Sequence, residues 1–253
     1  MLNGLKRRGA PAFLVSVTTA AEASLALTGG ADVIDAKDPS RGALGALHAD
    51  EIARIAETVA GQVLVSATIG DLPNDAAVMC AAASATAAAG ADIVKAGFFG
   101  TSGALPAIDA LGRAELGSAR LVGVLMADQE PDFALIAAMA RAGFAGVMLD
   151  TAHKAKGSLT EVLGFGPLRE FLSVVQGNGM FAGLAGSLRA IDIAPLVRLQ
   201  PDVLGFRGAL CRRGRTSALE LPQVTSVRSA IDAAAKSRSS EALLLEAVEG
   251  LNS

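Results

Sequence analysis

Three apolar, strand-like runs in this chain finish in ionisable side chains where a buried strand would be expected to continue with hydrophobic ones. GGADVIDAKDP (residues 29–39) ends in Asp35, Ala36 and Lys37; AGADIVKAG (89–97) ends its apolar run at Lys95; GFAGVMLDTAHK (143–154) ends at Asp150, with Lys154 just beyond. The chain has only six lysines, at positions 6, 37, 95, 154, 156 and 236, so three at or just past such endings is more than composition explains. A lysine becomes a nucleophile when desolvation or a neighbouring cation lowers its pKa from about 10.4 towards neutrality, freeing the amine to attack a carbonyl as a Schiff base. Lys37 and Lys95 can do this to each other. Asp35 and Asp150 can then balance charge and relay protons as a carbinolamine collapses. The bland alternative is a Lys37–Asp150 or Lys95–Asp35 ion pair that merely closes one end of the fold. Three lysines with two aspartates favour a site, because burying such charges for packing alone is too costly.

Two glycine-rich stretches point to phosphate. GLAGSLR (183–189) offers Gly183, Gly186 and Ser187, and GFRGAL (205–210) offers Gly205, Arg207 and Gly208. Both expose backbone amides that lead into helix starts, an arrangement that binds anions, and Arg207 adds a charged donor. Each loop alone is also explained by ordinary turns; the two in succession favour a phosphorylated substrate. Arg212, Arg213 and Arg215 could reach a second phosphate, although a solvated basic loop is the expectation; His153 could assist proton transfer but reads as a loop bystander, and Ser16 and Ser66 read as strand-end residues that line the mouth with no base for nucleophilic work.

The elements that would position these groups alternate regularly. Strands are expected at residues 11–17, 32–37, 62–68, 92–96, 121–126, 146–150, 180–184 and 202–206, with helices between them. Thr18 or Thr19 and Asp75 can cap helices, Pro131 suits a first helical position, and residues 160–175 form a helix interrupted near 164–167. Two final helices are expected, near residues 223–235 and 241–248. Eight strands separated by helices, over 253 residues without a linker-like break, predict an α/β fold, a single-domain (β/α)8 TIM barrel. A doubly wound sheet would want fewer strands and a glycine fingerprint after the first, and VSVTTAAE has none. The composition, 51% hydrophobic but only 4% aromatic, suits parallel strands buried on both faces by small aliphatic side chains. Because side chains alternate along a strand, Val33, Asp35 and Lys37 share one face, as do Ile93 and Lys95. If that face is the barrel interior, the amines meet at its C-terminal mouth, where barrel active sites lie.

A net charge of −3 gives no basic field, and no stretch interleaves Lys or Arg with aromatics, so nucleic acid is not an expected partner. Cys80, Cys211, His48 and His153 form no metal-ligand spacing, so neither a metal nor a cofactor is expected. No segment reaches the roughly 20 apolar residues of a membrane span, so no membrane association is expected and the location should be cytoplasmic.

The motifs DVIDAKDPSRGALGA, DIVKAG and MLDTAHKAKG resemble those of the (5-formylfuran-3-yl)methyl phosphate synthases, also called 4-(hydroxymethyl)-2-furancarboxaldehyde phosphate synthases, and the resemblance covers nearly the whole chain. It implies a TIM barrel similar to class I aldolases. Its activity would condense two molecules of glyceraldehyde 3-phosphate into a phosphorylated furan aldehyde, with loss of one phosphate and water, supplying the furan of methanofuran-type C1 carriers. By motif it makes Lys37 the Schiff-base residue and Lys95 the proton acceptor, with Asp35, Asp150 and Lys154 as further active-site positions. A triose phosphate is then the expected small-molecule partner, and a homo-oligomer is expected. The departures, an Ala-rich composition and a tail after residue 236, lie outside these motifs; the Ala-richness leans towards a methylofuran setting. The nearest alternative is a class I aldolase acting on another sugar phosphate; a barrel that binds metabolites without catalysis is the next.

Overall fold

The computed structural model describes residues 9–250; residues 1–8 and 251–253, and the side chains of Lys154 and of 241–250, lie outside the described residues. Eight parallel strands close into a barrel in chain order: β1 (Ala12–Val17), β2 (Val33–Ala36), β3 (Leu64–Thr68), β4 (Ile93–Phe98), β5 (Arg120–Met126), β6 (Gly146–Asp150), β7 (Phe181–Leu184) and β8 (Val203–Phe206). The expected (β/α)8 architecture is therefore the observed one.

Alternation sorts the strand residues into two cores. Ile34, Ala36, Val65, Ala67, Val94 and Ala96 face outwards into the layer between sheet and helices. Leu14, Val33, Ile93, Val122, Val124, Met148 and Val203 fill the barrel interior. The outer layer is covered by α1 (Ala20–Thr28), α2 (Ala49–Val59), α3 (Ala76–Ala88), α4 (Ala104–Gly112), α5 (Ala134–Arg141), α6 (Leu159–Val162), α7 (Phe165–Gly177), α8 (Ala190–Arg198) and α9 (Leu221–Gly250). Thr19 and Asp75 cap α1 and α3 by accepting hydrogen bonds from Glu22 N and Val78 N. Pro131 lies ahead of α5 instead of at its first position, and Asp132 Oδ1 receives the Ala134 amide.

Two elements differ in extent from expectation. β4 continues past Lys95 to Phe98, so this lysine sits within the barrel wall instead of at its end. The two C-terminal helices are one, α9, because the intervening KSRSS contains no glycine or proline. Ser239 Oγ and Ser240 Oγ donate to the carbonyls of Ala235 and Lys236 one turn back, so their hydroxyls are satisfied without breaking the helix.

The aspartates just before β2, β4 and β8 have a structural use at the N-terminal end of the barrel. The carboxylates of Asp32, Asp92 and Asp202 accept the first free amides of the preceding odd strands, Phe13 N at 2.9 Å, Val65 N at 2.8 Å and Ala182 N at 2.8 Å. Asp202 is buried and also receives Gln176 Nε2. Asp202→Ala leaves the buried Ala182 amide without its acceptor and is expected to destabilise the chain by about 1–3 kcal/mol, with a Tm lower by several degrees in thermal unfolding.

At the opposite, C-terminal end the long loop after β2 turns back over the mouth. The carboxylate of Asp71 receives the amides of Ala43 (2.8 Å) and Leu44 (2.6 Å), and Thr68 Oγ1 donates to Gly45 O. Leu44 is thereby driven into the barrel top beside Met126 and Phe99. Gly97 in β4 makes room for it, since a Cβ there would fall 2.4 Å from Leu44 Cδ1. Leu44 thus covers the β4 and β5 side of the mouth, and the side of β7, β8, β1 and β2 is left open.

Candidate active site

A cavity of about 400 Å³ occupies that open side, within the range of small-molecule sites. Asp35, Lys37, Lys95 and Asp150 all line it, each brought there by the inward register of β2, β4 and β6. Lys37 stands one residue past the end of β2, and Lys95 lies within β4.

Two ion pairs organise the floor. Lys37 Nζ lies 3.0 Å from Asp150 Oδ2, and Lys95 Nζ lies 2.8 Å from Asp35 Oδ1, with all four side chains nearly inaccessible to solvent. Asp150 Oδ1 also receives the Thr151 amide. Asp35 is held on both oxygens: Ser16 Oγ donates to Oδ2 at 2.8 Å and Ser66 Oγ to Oδ1 at 2.7 Å. The pairs that the bland reading anticipated are both present, but they share one cavity that opens to solvent. Their work is therefore not confined to closing the barrel.

The electrostatics separate the partners. Burial pushes the Lys95 amine down; Asp35 opposes this, the Lys37 ammonium adds to it, and the balance lies below the ordinary lysine value. For Asp35 burial acts upwards, but the charges of Lys95 and Lys37 and the hydrogen bonds from Lys95 and Ser66 outweigh it. Its carboxyl is held below the usual carboxylate range. Lys95 is thus a desolvated amine beside a carboxylate that stays ionised, a combination suited to moving protons.

The rim over β7 and β8 is built of backbone. Gly186, Ser187, Gly205 and Gly208 line the cavity. Gly186 adopts φ +109° with its Cα against Thr151, where a Cβ would lie 2.9 Å from Cγ2, and Ser187 follows at φ +48°. This left-handed turn points the chain into α8. Among the described residues, the amides of Ser187, Leu188, Gly208 and Ala209 meet no protein acceptor. They form a concave set of donors of the kind that holds a phosphate.

Two expected phosphate contacts are corrected. Gly183 does not line the cavity; it sits in β7 with its Cα against Met148, where a Cβ would be 2.6 Å from Cγ, and so serves packing beneath the site. Arg207 lines the cavity, but its guanidinium is spent on the protein: Nη1 and Nη2 donate to Glu22 at 2.5 and 3.2 Å, and the remaining N–H groups to Ser16 O, Ser217 O and Arg215 O. Glu22 also receives Thr18 N and Leu219 N, so this pair ties β1, β8 and the segment before α9 together. Arg207→Met leaves Glu22 buried without its cation and is expected to cost about 3–5 kcal/mol in urea unfolding. A variant of unchanged stability that only bound substrate more weakly would return Arg207 to the phosphate role.

The Lys154 side chain lies outside the described residues. His153 is exposed, with Nδ1 2.9 Å from Asp128 Oδ2, and does not line the cavity. Nothing in the sequence signalled Leu44 and Asp71, and Arg215, expected in a solvated loop with a second phosphate as the alternative, lines the cavity. Among the described residues no cluster of His, Cys, Asp or Glu could hold a metal ion, and no helix is long and apolar enough to cross a membrane.

The comparisons with known proteins bear on the family, and the span they match takes in Lys37, Lys95, Asp35 and Asp150. The family model for 4-HFC-P synthase matches residues 13–228, a span that includes all four. The chain belongs to the 4-HFC-P synthase family. A putative (5-formylfuran-3-yl)methyl phosphate synthase of Methylorubrum extorquens is 41% identical over 224 residues, covering 88% of this chain and 92% of the relative. The (5-formylfuran-3-yl)methyl phosphate synthase of Archaeoglobus fulgidus is 32% identical over 242 residues, covering 86% and 98%. Members of the family are thus named as enzymes, and this chain is one by membership. Among solved structures, the phosphoribosyl anthranilate isomerase of Thermus thermophilus superposes with a TM-score of 0.62 at 12% identity, covering 88% of this chain and 98% of that one. The thiamine phosphate pyrophosphorylase of Pyrococcus furiosus gives 0.59 at 12% identity, covering 89% and 97%. At that identity the likeness to these two shows the barrel alone.

Proposed function

We propose that this chain condenses two molecules of glyceraldehyde 3-phosphate into 4-(hydroxymethyl)-2-furancarboxaldehyde phosphate through a Schiff base on Lys37, releasing phosphate and water. The observation that carries the proposal is the coupling of Lys37–Asp150 and Lys95–Asp35 on the floor of one cavity beneath unpaired rim amides. The family's name supports the furan phosphate product.

One triose phosphate, isomerised to its ketone or enediol form, seats its phosphate on the amides of Ser187, Leu188, Gly208 and Ala209. Lys37 sheds a proton before attack, and Asp150 Oδ2 at 3.0 Å is the acceptor within reach. Attack gives a carbinolamine; returning the proton to its hydroxyl expels water and leaves the iminium. Lys95 then takes a proton from the adjacent carbon to give the enamine, with Asp35 balancing the charge. The enamine attacks the aldehyde of the second triose phosphate, which regenerates the iminium; water hydrolyses the C=N bond to free the Lys37 amine, and cyclisation with elimination of phosphate and water forms the ring. Lys154 belongs to the same proposal by motif.

The product would supply the furan of a methanofuran-type C1 carrier, in the methylofuran form. The chain would work in the cytoplasm, as a homo-oligomer acting on small molecules. Incubation with glyceraldehyde 3-phosphate alone tests the activity: the expected result is free phosphate together with furan-ring proton resonances in the product NMR spectrum. A linear six-carbon product without phosphate release would make the chain a class I aldolase for another sugar phosphate. An unchanged substrate would make it a binding barrel.

A further inference from the structure

Condensing two triose phosphates brings two phosphate groups into one cavity, and the β7 and β8 amides form a single cradle. Arg215, from the segment between β8 and α9, borders the β8 side of that cradle, its Cβ 4.0 Å from where a Cβ at Gly208 would lie, but its guanidinium reaches away from it. Its Nη2 donates to Pro39 O at 2.6 Å and Gly42 O at 2.7 Å, which places the guanidinium against the loop after β2. In the closed barrel that loop is separated from the β7 loop by β8 and β1, so the guanidinium and the Gly186–Leu188 turn face the cavity from different sides.

Arg215 also differs from Arg207 in what it has left to give. Both Nη2 hydrogens are committed, whereas its Nε–H and two Nη1–H groups meet no acceptor among the described residues. The side chain is half-buried and lines the cavity, and Asp150 is the carboxylate that acts on it most strongly. A guanidinium fixed at one edge, with the rest of its fork free, suits a phosphate oxygen pair.

On the two-triose reading above, we propose that Arg215 forms a second anion subsite, which holds the phosphate of the aldehyde acceptor while the β7 and β8 amides hold that of the Lys37-bound triose. This subsite makes the cavity selective for a phosphorylated acceptor over free glyceraldehyde. Arg215 holds the Pro39–Gly42 turn through Nη2 alone, which leaves the rest of its fork for the acceptor phosphate.

Equilibrium dialysis with radiolabelled inorganic phosphate tests this on the full chain. Wild type should bind two phosphates per chain, Arg215→Met one, and Arg215→Lys two with the second weakened. One phosphate on wild type, or two on Arg215→Met, would overturn the subsite. Borohydride trapping with glyceraldehyde 3-phosphate separates binding from a purely structural role. Arg215→Met should keep the Lys37 adduct yield while furan formation falls on the order of 100-fold. A folded Arg215→Met that loses adduct and turnover together would show Arg215 only holding the loop, and the proposal would fall. If wild type forms no adduct, the Schiff-base reading fails, and the phosphate count still decides Arg215.

Discussion

Lys37→Ala should abolish furan formation, with a loss on the order of 10⁴-fold or more, while leaving the chain folded. The size of the effect follows from the role: without the amine there is no iminium, and neither Lys95 nor the rim amides can supply one. The truncation leaves Asp150 without one partner, but its other oxygen keeps the Thr151 amide and the cavity admits water to the vacated space. Circular dichroism and steady-state kinetics on the same preparation check the separation. Turnover near the wild-type value in a folded Lys37→Ala protein would remove the residue from the chemistry.

The second large effect lies at Lys95. Lys95→Met should lower turnover by about 10²–10⁴-fold, the range lost when a positioned acid–base group is removed, and should still allow the iminium to form on Lys37. The wild-type rate should rise with pH as Lys95 gives up its proton, at a lower pH than an ordinary lysine, because burial and Lys37 depress its value. That limb should be absent from Lys95→Met. Stability separates this pair from an ordinary buried salt bridge. Asp35→Asn strands a buried ammonium and is expected to cost about 3–5 kcal/mol, whereas Asp35→Asn with Lys95→Met should recover most of it. The pH sign is set by Asp35: its folded value lies below its unfolded one, so the carboxylate contributes stability present above the unfolded value. That stability disappears as pH falls through the folded value. Urea midpoints of wild type and Asp35→Asn should therefore differ at neutral pH and converge only under strong acid.

The charged, inward face was legible because a strand's alternation is a local rule. Val33 and Ile93 identify the inward side, and Asp35, Lys37 and Lys95 follow at even spacing on it. The position of Lys95 within β4 was not legible, because the glycine after it reads as a strand end. Gly97 instead continues the strand and accommodates Leu44, more than fifty residues earlier in the chain. The surroundings of the two arginines were hidden for a similar reason. Arg207 stands beside the glycine-rich turn in sequence, but Glu22, 185 positions away, takes its guanidinium. Arg215 looks like part of a basic surface loop until the turn at Pro39 and Gly42 is folded over it. Local patterns carried the elements and the charged face; contacts between distant loops decided which side chains were left free to meet a ligand.

The claim that Lys37 carries the substrate covalently is tested most directly by borohydride reduction in the presence of glyceraldehyde 3-phosphate, read by intact mass and peptide mapping. The account predicts one added triose phosphate per chain, on Lys37, absent from Lys37→Ala and retained in Lys95→Met. An adduct on Lys95 or another lysine, or none while furan formation proceeds, would contradict it.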